Sequence, residues 1–177
     1  MRLVEVLGEA CNFYKVGPVL FYREGPPIIE WLRSQGKHVF LDLKAHDIPS
    51  VVESATEAAV EMGATFFTAH VADGSAAAAV KAARRAHISS GHKLFVLGVT
   101  VLTSSHTADA EAGSGGVSFE TLLSSRVGRA LSSGCDGIVA AAPDLPLVFD
   151  LVPHGLIKVC PGIRPSPHSV KAAGDER

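Results

Sequence analysis

The sequence predicts an α/β fold in which parallel strands form a sheet covered by helices. Strand-like apolar runs alternate with helix-like stretches, and each connection is long enough for a crossover. The runs are apolar throughout rather than alternating in polarity, which is typical of parallel strands buried on both faces. Polar residues follow several of the predicted strands, and in parallel folds that edge of the sheet carries active sites. These observations favour an enzyme.

Composition and charge exclude several classes of function. The chain has 177 residues, 47% of them hydrophobic and 19% charged, with a net charge of −2. We expect a single domain over residues 1–177, with no nucleic-acid partner. No run approaches the roughly 20 apolar residues of a membrane span, and residues 1–10 lack a signal-peptide core. Three widely spaced cysteines predict reduced core thiols in a cytoplasmic protein.

The order of elements follows from periodicity and turn residues. Six strands are predicted, near residues 12–16, 38–44, 65–71, 94–102, 136–142 and 157–160. Helices are predicted near residues 1–10, 25–36, 50–63, 73–87, 118–133 and 143–152. The helix after residue 50 is expected to begin with a capping box formed by Ser50 and Glu53. The polar, glycine-rich stretch 103–116 predicts a functional or mobile loop.

The stretch 39–49 is the centre of the predicted site. Asp42 and Lys44 interrupt an apolar strand two residues apart, so their side chains are expected on the same face. Asp47 follows just beyond the strand. Buried charges are costly unless they are paired, and Lys15, inside another apolar strand, also needs a partner or a function. An ordinary ion pair at a strand end is the alternative, but the set favours a functional site.

Five motifs of the sequence, taken in order, resemble the orotidine 5′-phosphate decarboxylase family. They cover nearly the whole chain, and together they are specific although each alone is weak. The motifs are Tyr-Lys-Val-Gly (14–17), Phe-Leu-Asp-Leu-Lys-Ala-His-Asp-Ile-Pro (40–49), Val-Thr-Val-Leu-Thr-Ser (99–104), Cys-Asp-Gly-Ile-Val (135–139) and Pro-Gly-Ile-Arg-Pro (161–165).

The resemblance implies a TIM (β/α)₈ barrel of the ribulose-phosphate-binding type, acting as a homodimer. Such an enzyme converts orotidine 5′-phosphate to uridine 5′-phosphate and carbon dioxide, the last step of de novo pyrimidine synthesis, without metal or organic cofactor. By motif, Lys15, Asp42, Lys44 and Asp47 form the family's alternating Lys-Asp-Lys-Asp array. Lys44 would donate the proton to C6, and Asp42 would oppose the substrate carboxylate. Asp47 would be contributed to the partner subunit's site.

The resemblance also implies further substrate-binding positions. Thr103 and Ser104 fall where the family contacts the pyrimidine, and Arg164 falls where it contacts the phosphate. Glu176 stands where the family usually has Gln, and a carboxylate beside a phosphate is unfavourable unless it is protonated or turned away. The full set of these positions is Ile48, Thr103, Ser104, Pro161, Arg164 and Glu176.

Against the family pattern, the chain is expected to form an incomplete barrel of about six strands. It begins after the strand that carries a ribose-binding Asp and stops before the last strand and its phosphate-binding Arg. We therefore expect two exposed sheet edges and little or no activity. A rate typical of a complete enzyme would contradict this expectation. Residues 166–177 are polar, without a clear core face, and are predicted to form a phosphate-loop segment that can be disordered.

Two alternatives remain open from the sequence. Asp42, Asp47 and Asp73 could bind magnesium, as in the related hexulose-phosphate synthases and ketogulonate-phosphate decarboxylases, which share the Asp-x-Lys-x-x-Asp pattern. Those barrels place an acid where this chain has Lys15, which argues for the metal-free branch. The other alternative is a non-catalytic chain that binds a nucleotide or fails to fold alone.

Two histidines lie near the predicted site. His46 stands between Lys44 and Asp47, and we expect its side chain to point away and to have a structural role. His70 ends the third predicted strand at the same edge of the sheet. For His70 we expect packing or hydrogen bonding rather than chemistry.

Overall fold

The computed structural model describes residues 2–102 and 107–163, which form a six-stranded parallel sheet. The strands lie in the order of the chain, and every neighbouring pair is parallel. They are β1 (Phe13–Val16), β2 (His38–Ala45), β3 (Phe66–His70), β4 (Phe95–Val99), β5 (Gly137–Val139) and β6 (Ile157–Val159). The predicted alternation of apolar parallel strands and crossovers is therefore confirmed.

One helix precedes β1, and the other helices lie in the connections between successive strands. They are α1 (Arg2–Leu7), α2 (Pro18–Glu24), α3 (Pro26–Ser34), α4 (Pro49–Glu61), α5 (Ser75–Ser90), α6 (Thr107–Gly113), α7 (Phe119–Ser132) and α8 (Leu145–Val148). Short 3₁₀ turns lie at Gly8–Ala10, Ala142–Asp144 and Phe149–Leu151. Among the described residues, no helix is long and apolar enough to cross a membrane.

The sheet curls, and four aromatic rings on one face show it. The rings of Phe13 and Phe66 lie 5.0 Å apart, although β1 and β3 are separated by β2. Phe66 also contacts Phe40 at 5.8 Å and Phe95 at 5.5 Å between ring centroids. Side chains on a flat sheet do not meet across an intervening strand in this way, so this face is concave. The fold is the incomplete α/β barrel that was expected.

Alternate residues of each strand pack into two separate apolar layers. Val39, Leu41 and Phe67 belong to the larger layer, which lies between the sheet and the helices. A smaller layer lines the concave face and consists of Phe40, Leu97, Val99 and Val139, with Phe66, Ile157 and Val159 packed against it. Since side chains alternate along a strand, Lys15 and Asp42 share the concave face with this smaller layer.

Gly137 marks the closest approach within the concave layer. A Cβ atom at this position would lie 2.5 Å from the Ile157 carbonyl oxygen and 2.8 Å from Leu97 Cδ2. Real side chains do not tolerate such contacts with backbone. The absence of a side chain at Gly137 therefore allows β4, β5 and β6 to pack together.

The predicted capping box at the start of α4 is wrong. The helix begins at Pro49, and no side chain caps its N-terminus. Glu53 instead accepts a hydrogen bond from Lys81 of α5 at 3.0 Å. Proline at the first helical position has a preset φ and no N–H to satisfy, so the helix starts one residue before Ser50.

Other differences from expectation concern short elements. The helix α2 was not predicted; it begins at Pro18, which again suits a first helical position. Within the stretch expected to be a loop, residues 107–113 are helical, whereas residues 103–106 lie outside the described part. The strands β4 and β5 are shorter than predicted. Of the three cysteines, Cys135 is buried as expected, but Cys11 and Cys160 are only half-buried.

Candidate active site

Asp42 is the centre of a charged cluster on the concave face of the sheet. Its Oδ2 atom lies 2.9 Å from Lys44 Nζ and 3.2 Å from Lys15 Nζ. Its Oδ1 atom accepts a hydrogen bond from the Thr68 hydroxyl at 3.1 Å. Asp42 is 6% exposed, so these partners replace the water that the carboxylate loses. The predicted pairing of Asp42 and Lys44 on one face of the strand is confirmed.

The backbone at Lys44 departs from regular strand geometry. Lys44 has a φ of 52°, the one positive value among the described non-glycine residues, and the register between β2 and β3 shifts between Leu41 and Ala45. The Lys44 N–H, freed from the regular ladder, donates to the Thr68 hydroxyl oxygen at 2.8 Å. A left-handed conformation at a non-glycine residue is strained and persists only where its surroundings hold it. Here the Thr68 hydroxyl holds the Lys44 N–H and the Asp42 carboxylate holds the Lys44 ammonium.

Thr68 connects the Lys44 backbone with the Asp42 carboxylate, and the sequence analysis did not predict this role. Its hydroxyl accepts from the Lys44 backbone and donates to Asp42, so both of its roles are used. The side chain is completely buried. The signal available in the sequence was a hydroxyl in the middle of the apolar run 66–71, on the same face as His70.

The two ammonium groups keep Asp42 ionised. Burial works to raise the pKa of this carboxyl, but the hydrogen bond and charge of Lys44, followed by those of Lys15, lower the pKa below its ordinary value. The carboxylate in turn holds both ammonium groups at the carboxyl end of the strands. The cluster therefore presents two fixed positive charges around one fixed negative charge.

Lys15 is less enclosed than the sequence suggested. Its side chain is 52% exposed, so the expectation of a buried lysine is wrong, although its pairing with Asp42 is found. Lys15 reaches the concave face because it alternates with Tyr14 and Val16, which pack toward the helices. Gly17 stands close by: a Cβ atom there would lie 3.1 Å from Lys15 Nζ.

Asp47 and Ile48 lie at the same edge but outside the cluster. Asp47 Oδ1 accepts a hydrogen bond from the Ile48 backbone N–H at 2.7 Å, and both residues are exposed. Among the described contacts of this one chain, none joins Asp47 to Lys15, Asp42 or Lys44. A role for Asp47 in a partner subunit's site remains a prediction.

The remaining predicted positions are mostly outside the described residues. Pro161 is half-buried and follows β6, at the carboxyl edge of the sheet where it was expected. The positions Thr103, Ser104, Arg164 and Glu176, and the segment 166–177, lie outside residues 2–102 and 107–163. Their roles remain predictions.

The three acids considered for magnesium each have separate partners. Asp42 is bound by two lysines, Asp47 by the Ile48 N–H, and Asp73 accepts from the Ser75 N–H at 2.8 Å. Among the described residues, no group of three His, Cys, Asp or Glu side chains could hold a metal ion.

The side chain of His46 contacts Asp73 and His70, and the structural role expected for it stays a prediction. Its Nε2 atom lies 3.0 Å from Asp73 Oδ2, and its ring lies 4.9 Å from that of His70 between centroids. Packing of His70, which was expected, is found. The contact between His46 and Asp73 could not be predicted, because it joins the ends of two different strands.

Comparison with solved structures supports the same barrel. The chain superposes on a crystal structure of orotidine 5′-phosphate decarboxylase from Lactobacillus acidophilus with a TM-score of 0.78. The sequence identity is 31%, and the match covers 93% of this chain and 76% of that one.

Comparison of sequences extends over the whole chain. It is 40% identical over 177 residues to an orotidine 5′-phosphate decarboxylase from Methylorubrum populi, covering 99% of this chain and 72% of that protein. A relative of the same name from Methylococcus capsulatus is 40% identical over 92% of this chain and 64% of its own length. The chain thus spans 64 to 72% of the length of these two relatives. Residues 1–177 match the model of one protein family. With its fold, its motifs and this match, the chain belongs to the orotidine 5′-phosphate decarboxylase / HUMPS family.

Proposed function

We propose that the chain decarboxylates orotidine 5′-phosphate to uridine 5′-phosphate and carbon dioxide, the last step of pyrimidine synthesis. The observation that carries this proposal is the cluster in which Asp42 holds Lys15 and Lys44 at 3.2 and 2.9 Å. Relatives at 35 to 41% identity bear the name of this activity, and the family is that of the decarboxylase.

The chemistry requires stabilisation of a carbanion. When the bond between C6 and the carboxylate breaks, its electron pair stays on C6 and carbon dioxide leaves. A fixed ammonium at the place where this charge develops lowers the energy of the transition state. Lys44 is the group we assign to this role, and its proton then passes to C6. The neutral amine left on Lys44 recovers a proton from solvent before the next turnover.

Asp42 has two roles in this proposal. It holds the two ammonium groups close together through opposite-charge interactions. It also lies near the position assigned to the substrate carboxylate, so that repulsion between the two anions is relieved as carbon dioxide leaves. The low pKa of Asp42, which its two lysines maintain against burial, keeps it anionic in the neutral range.

Substrate contacts outside the cluster are part of the proposal. We assign Thr103 and Ser104 to the binding of the pyrimidine, and Ile48 and Pro161 to further contact with the substrate. We assign Arg164 to the phosphate end, where the carboxylate of Glu176 would have to be protonated or turned away. Binding energy from the remote phosphate would hold the base against Lys44.

A magnesium-dependent sugar-phosphate aldolase is the less favoured alternative. A divalent cation needs free carboxylate oxygens, but the ammonium of Lys15 already lies 3.2 Å from Asp42. Its positive charge would repel a metal ion at the same oxygens. Magnesium-dependent turnover of a sugar phosphate would establish this alternative instead.

We also propose that the chain acts as a homodimer in the cytoplasm. Ile48 and Val51 are 63% and 46% exposed beside Asp47. This apolar surface is suited to a second copy of the chain, which would bring Asp47 to the neighbouring cluster.

The proposed location in the cytoplasm is supported by the cysteines. All three are free thiols, which is typical of a reducing compartment.

Turnover by the purified chain tests the proposed activity. Loss of orotidine 5′-phosphate, followed in the ultraviolet, is compared between the unchanged chain and Lys44→Ala, with Lys93→Ala as a control for loss of a lysine elsewhere. The turnover expected of an incomplete barrel is low, and Lys44→Ala should abolish it whereas Lys93→Ala should retain it. Binding of uridine 5′-phosphate without turnover would contradict the proposal and support a non-catalytic nucleotide-binding chain.

A further inference from the structure

A second group of polar side chains adjoins the lysine cluster at the carboxyl edge of the sheet. His46, just beyond β2, lies 3.0 Å from Asp73 Oδ2 through its Nε2 atom. Its ring also packs against that of His70, at the end of β3, with 35° between the ring planes. The mechanism proposed above uses none of these three residues.

The β3–α5 connection that carries Asp73 is itself held in place. Asp73 Oδ1 accepts from the Ser75 N–H at 2.8 Å. The side chain of Ser75, which is completely buried, donates to the Asp47 carbonyl oxygen at 3.2 Å. Thus the connection contacts two consecutive residues after β2: the side chain of His46 and the backbone of Asp47.

These two contacts hold the segment that carries Lys44 and Asp47 against the β3–α5 connection. Lys44 lies on one side of His46, and Asp47 lies on the other. The backbone of Lys44 is tied to β3 through Thr68. The His46 contact fixes the next part of the same segment, which is otherwise exposed.

The charges of the group suit this arrangement. Partial burial works to raise the pKa of Asp73, but its hydrogen bonds from Ser75, followed by its electrostatic interaction with His46, lower it, so Asp73 is an anion facing His46. Burial lowers the pKa of His70, and electrostatic interactions with His46, Arg126 and Lys44 lower it further, against the opposite effect of Asp73. A neutral His70 ring packs against His46 without charge repulsion.

We propose that His46 is a positioning residue, which through Asp73 and His70 fixes the Lys44–Asp47 segment in its catalytic arrangement. The effect on turnover rests on the proposed function. The fixing of the segment does not depend on the proposed function, because it is a property of the chain without substrate. Errors of about 1 Å in the placement of a catalytic group cost up to about 100-fold in rate.

Three single variants test the inference, together with an Asp73→Ala background. His46→Ala removes both contacts, His46→Gln retains a side-chain N–H that can reach Asp73, and His87→Ala removes an exposed histidine of α5 as a matched control. Turnover is measured at saturating and limiting substrate. Amide hydrogen exchange of residues 44–48 is measured on the same samples without substrate.

We expect His46→Ala to lower kcat by about tenfold or more, with a smaller change in KM, and to accelerate exchange at residues 44–48. His46→Gln should recover part of both, and His87→Ala should change neither. In an Asp73→Ala background, His46→Ala should add little, because the two residues act as one unit.

An unchanged exchange rate in His46→Ala overturns the inference, and so does an unchanged kcat in an active chain. If the unchanged chain shows no turnover, the proposed function fails separately. The exchange measurement then still decides whether His46 fixes the segment.

Discussion

A single hydroxyl group, that of Thr68, links the backbone of Lys44 to the carboxylate of Asp42. It accepts from one and donates to the other, at 2.8 and 3.1 Å. Both partners belong to β2, yet the group that connects them comes from β3. The geometry of the lysine cluster therefore depends on a residue that takes no part in the charge pairing.

Thr68→Val should weaken both the fold and the site. The substitution keeps the shape of the side chain but leaves the Lys44 N–H and one Asp42 oxygen without this partner, at a cost of about 1–3 kcal/mol in free energy of unfolding. Denaturation in urea measures the loss, and Thr68→Ser is the control because it keeps the hydroxyl. Equal stability of all three proteins would contradict the bridging role.

The lowered pKa of Asp42 predicts a dependence of stability on pH. Because its pKa in the folded protein is below the ordinary value of 3.8, Asp42 contributes stability that is fully present above pH 3.8. This contribution is lost as the pH falls through the lower folded value.

Asp42→Asn tests this dependence. The difference in free energy of unfolding between the unchanged chain and this variant should be constant at neutral pH and should shrink below about pH 4. Chemical denaturation at a series of pH values measures it. A difference that persists unchanged to pH 2 would show that the charge of Asp42 is not stabilised by its lysines.

At the scale of elements, the packing of β4, β5 and β6 depends on Gly137. Gly137→Ala places a Cβ atom against the Ile157 backbone and the Leu97 side chain, and should lower the free energy of unfolding by about 1–3 kcal/mol through overpacking. Gly128→Ala is the matched control. Gly128 is exposed in α7 with open space around its Cβ, so alanine should be neutral or stabilising there.

Thermal or urea unfolding of these two variants measures whether a side chain at position 137 lowers the free energy of unfolding. Equal stability of Gly137→Ala and Gly128→Ala would show that the strands separate at little cost to admit a side chain.

The elements differ in how well the sequence predicts them. Strand positions and the pairing of Asp42 with Lys44 follow from apolar runs and from alternation within one strand, which are local patterns. The bulge at Lys44 and the hydroxyl of Thr68 depend on how β2 lies against β3, which no local pattern specifies. The prediction of a Ser50–Glu53 capping box was wrong for the same reason: Glu53 pairs with a lysine of another helix, which no local pattern specifies.

Short helices such as α2 and α6 were missed for a different reason. Each has seven residues, too few for a helical period to be distinguished from a loop. Their formation depends on the chain around them rather than on their own propensity. Such elements are found only when tertiary structure is known.

At the scale of the whole molecule, the position of Asp47 predicts how two copies of the chain cooperate. If Asp47 completes the neighbouring subunit's cluster, Lys44→Ala and Asp47→Ala damage different halves of each site. Mixing the two inactive variants under conditions that exchange subunits should restore activity, because one site of each mixed dimer has an intact Lys44 and an intact Asp47.

A mixture of Lys44→Ala with Asp42→Ala is the control. These lesions lie in the same half of the site, so every site of a mixed dimer is damaged and activity should stay absent. Sedimentation of each mixture confirms that dimers are present. Recovery in the control, or in neither mixture, would contradict a shared site.

The two apolar layers of the sheet bear on how such a protein can change during evolution. Along β2, Val39 and Leu41 pack in the layer between the sheet and the helices, while Phe40 and Asp42 face the concave side. Substitutions on the concave side can therefore alter chemistry while the helix-facing layer continues to specify the fold. One parallel framework can in this way accumulate new specificities on alternate residues of the same strand.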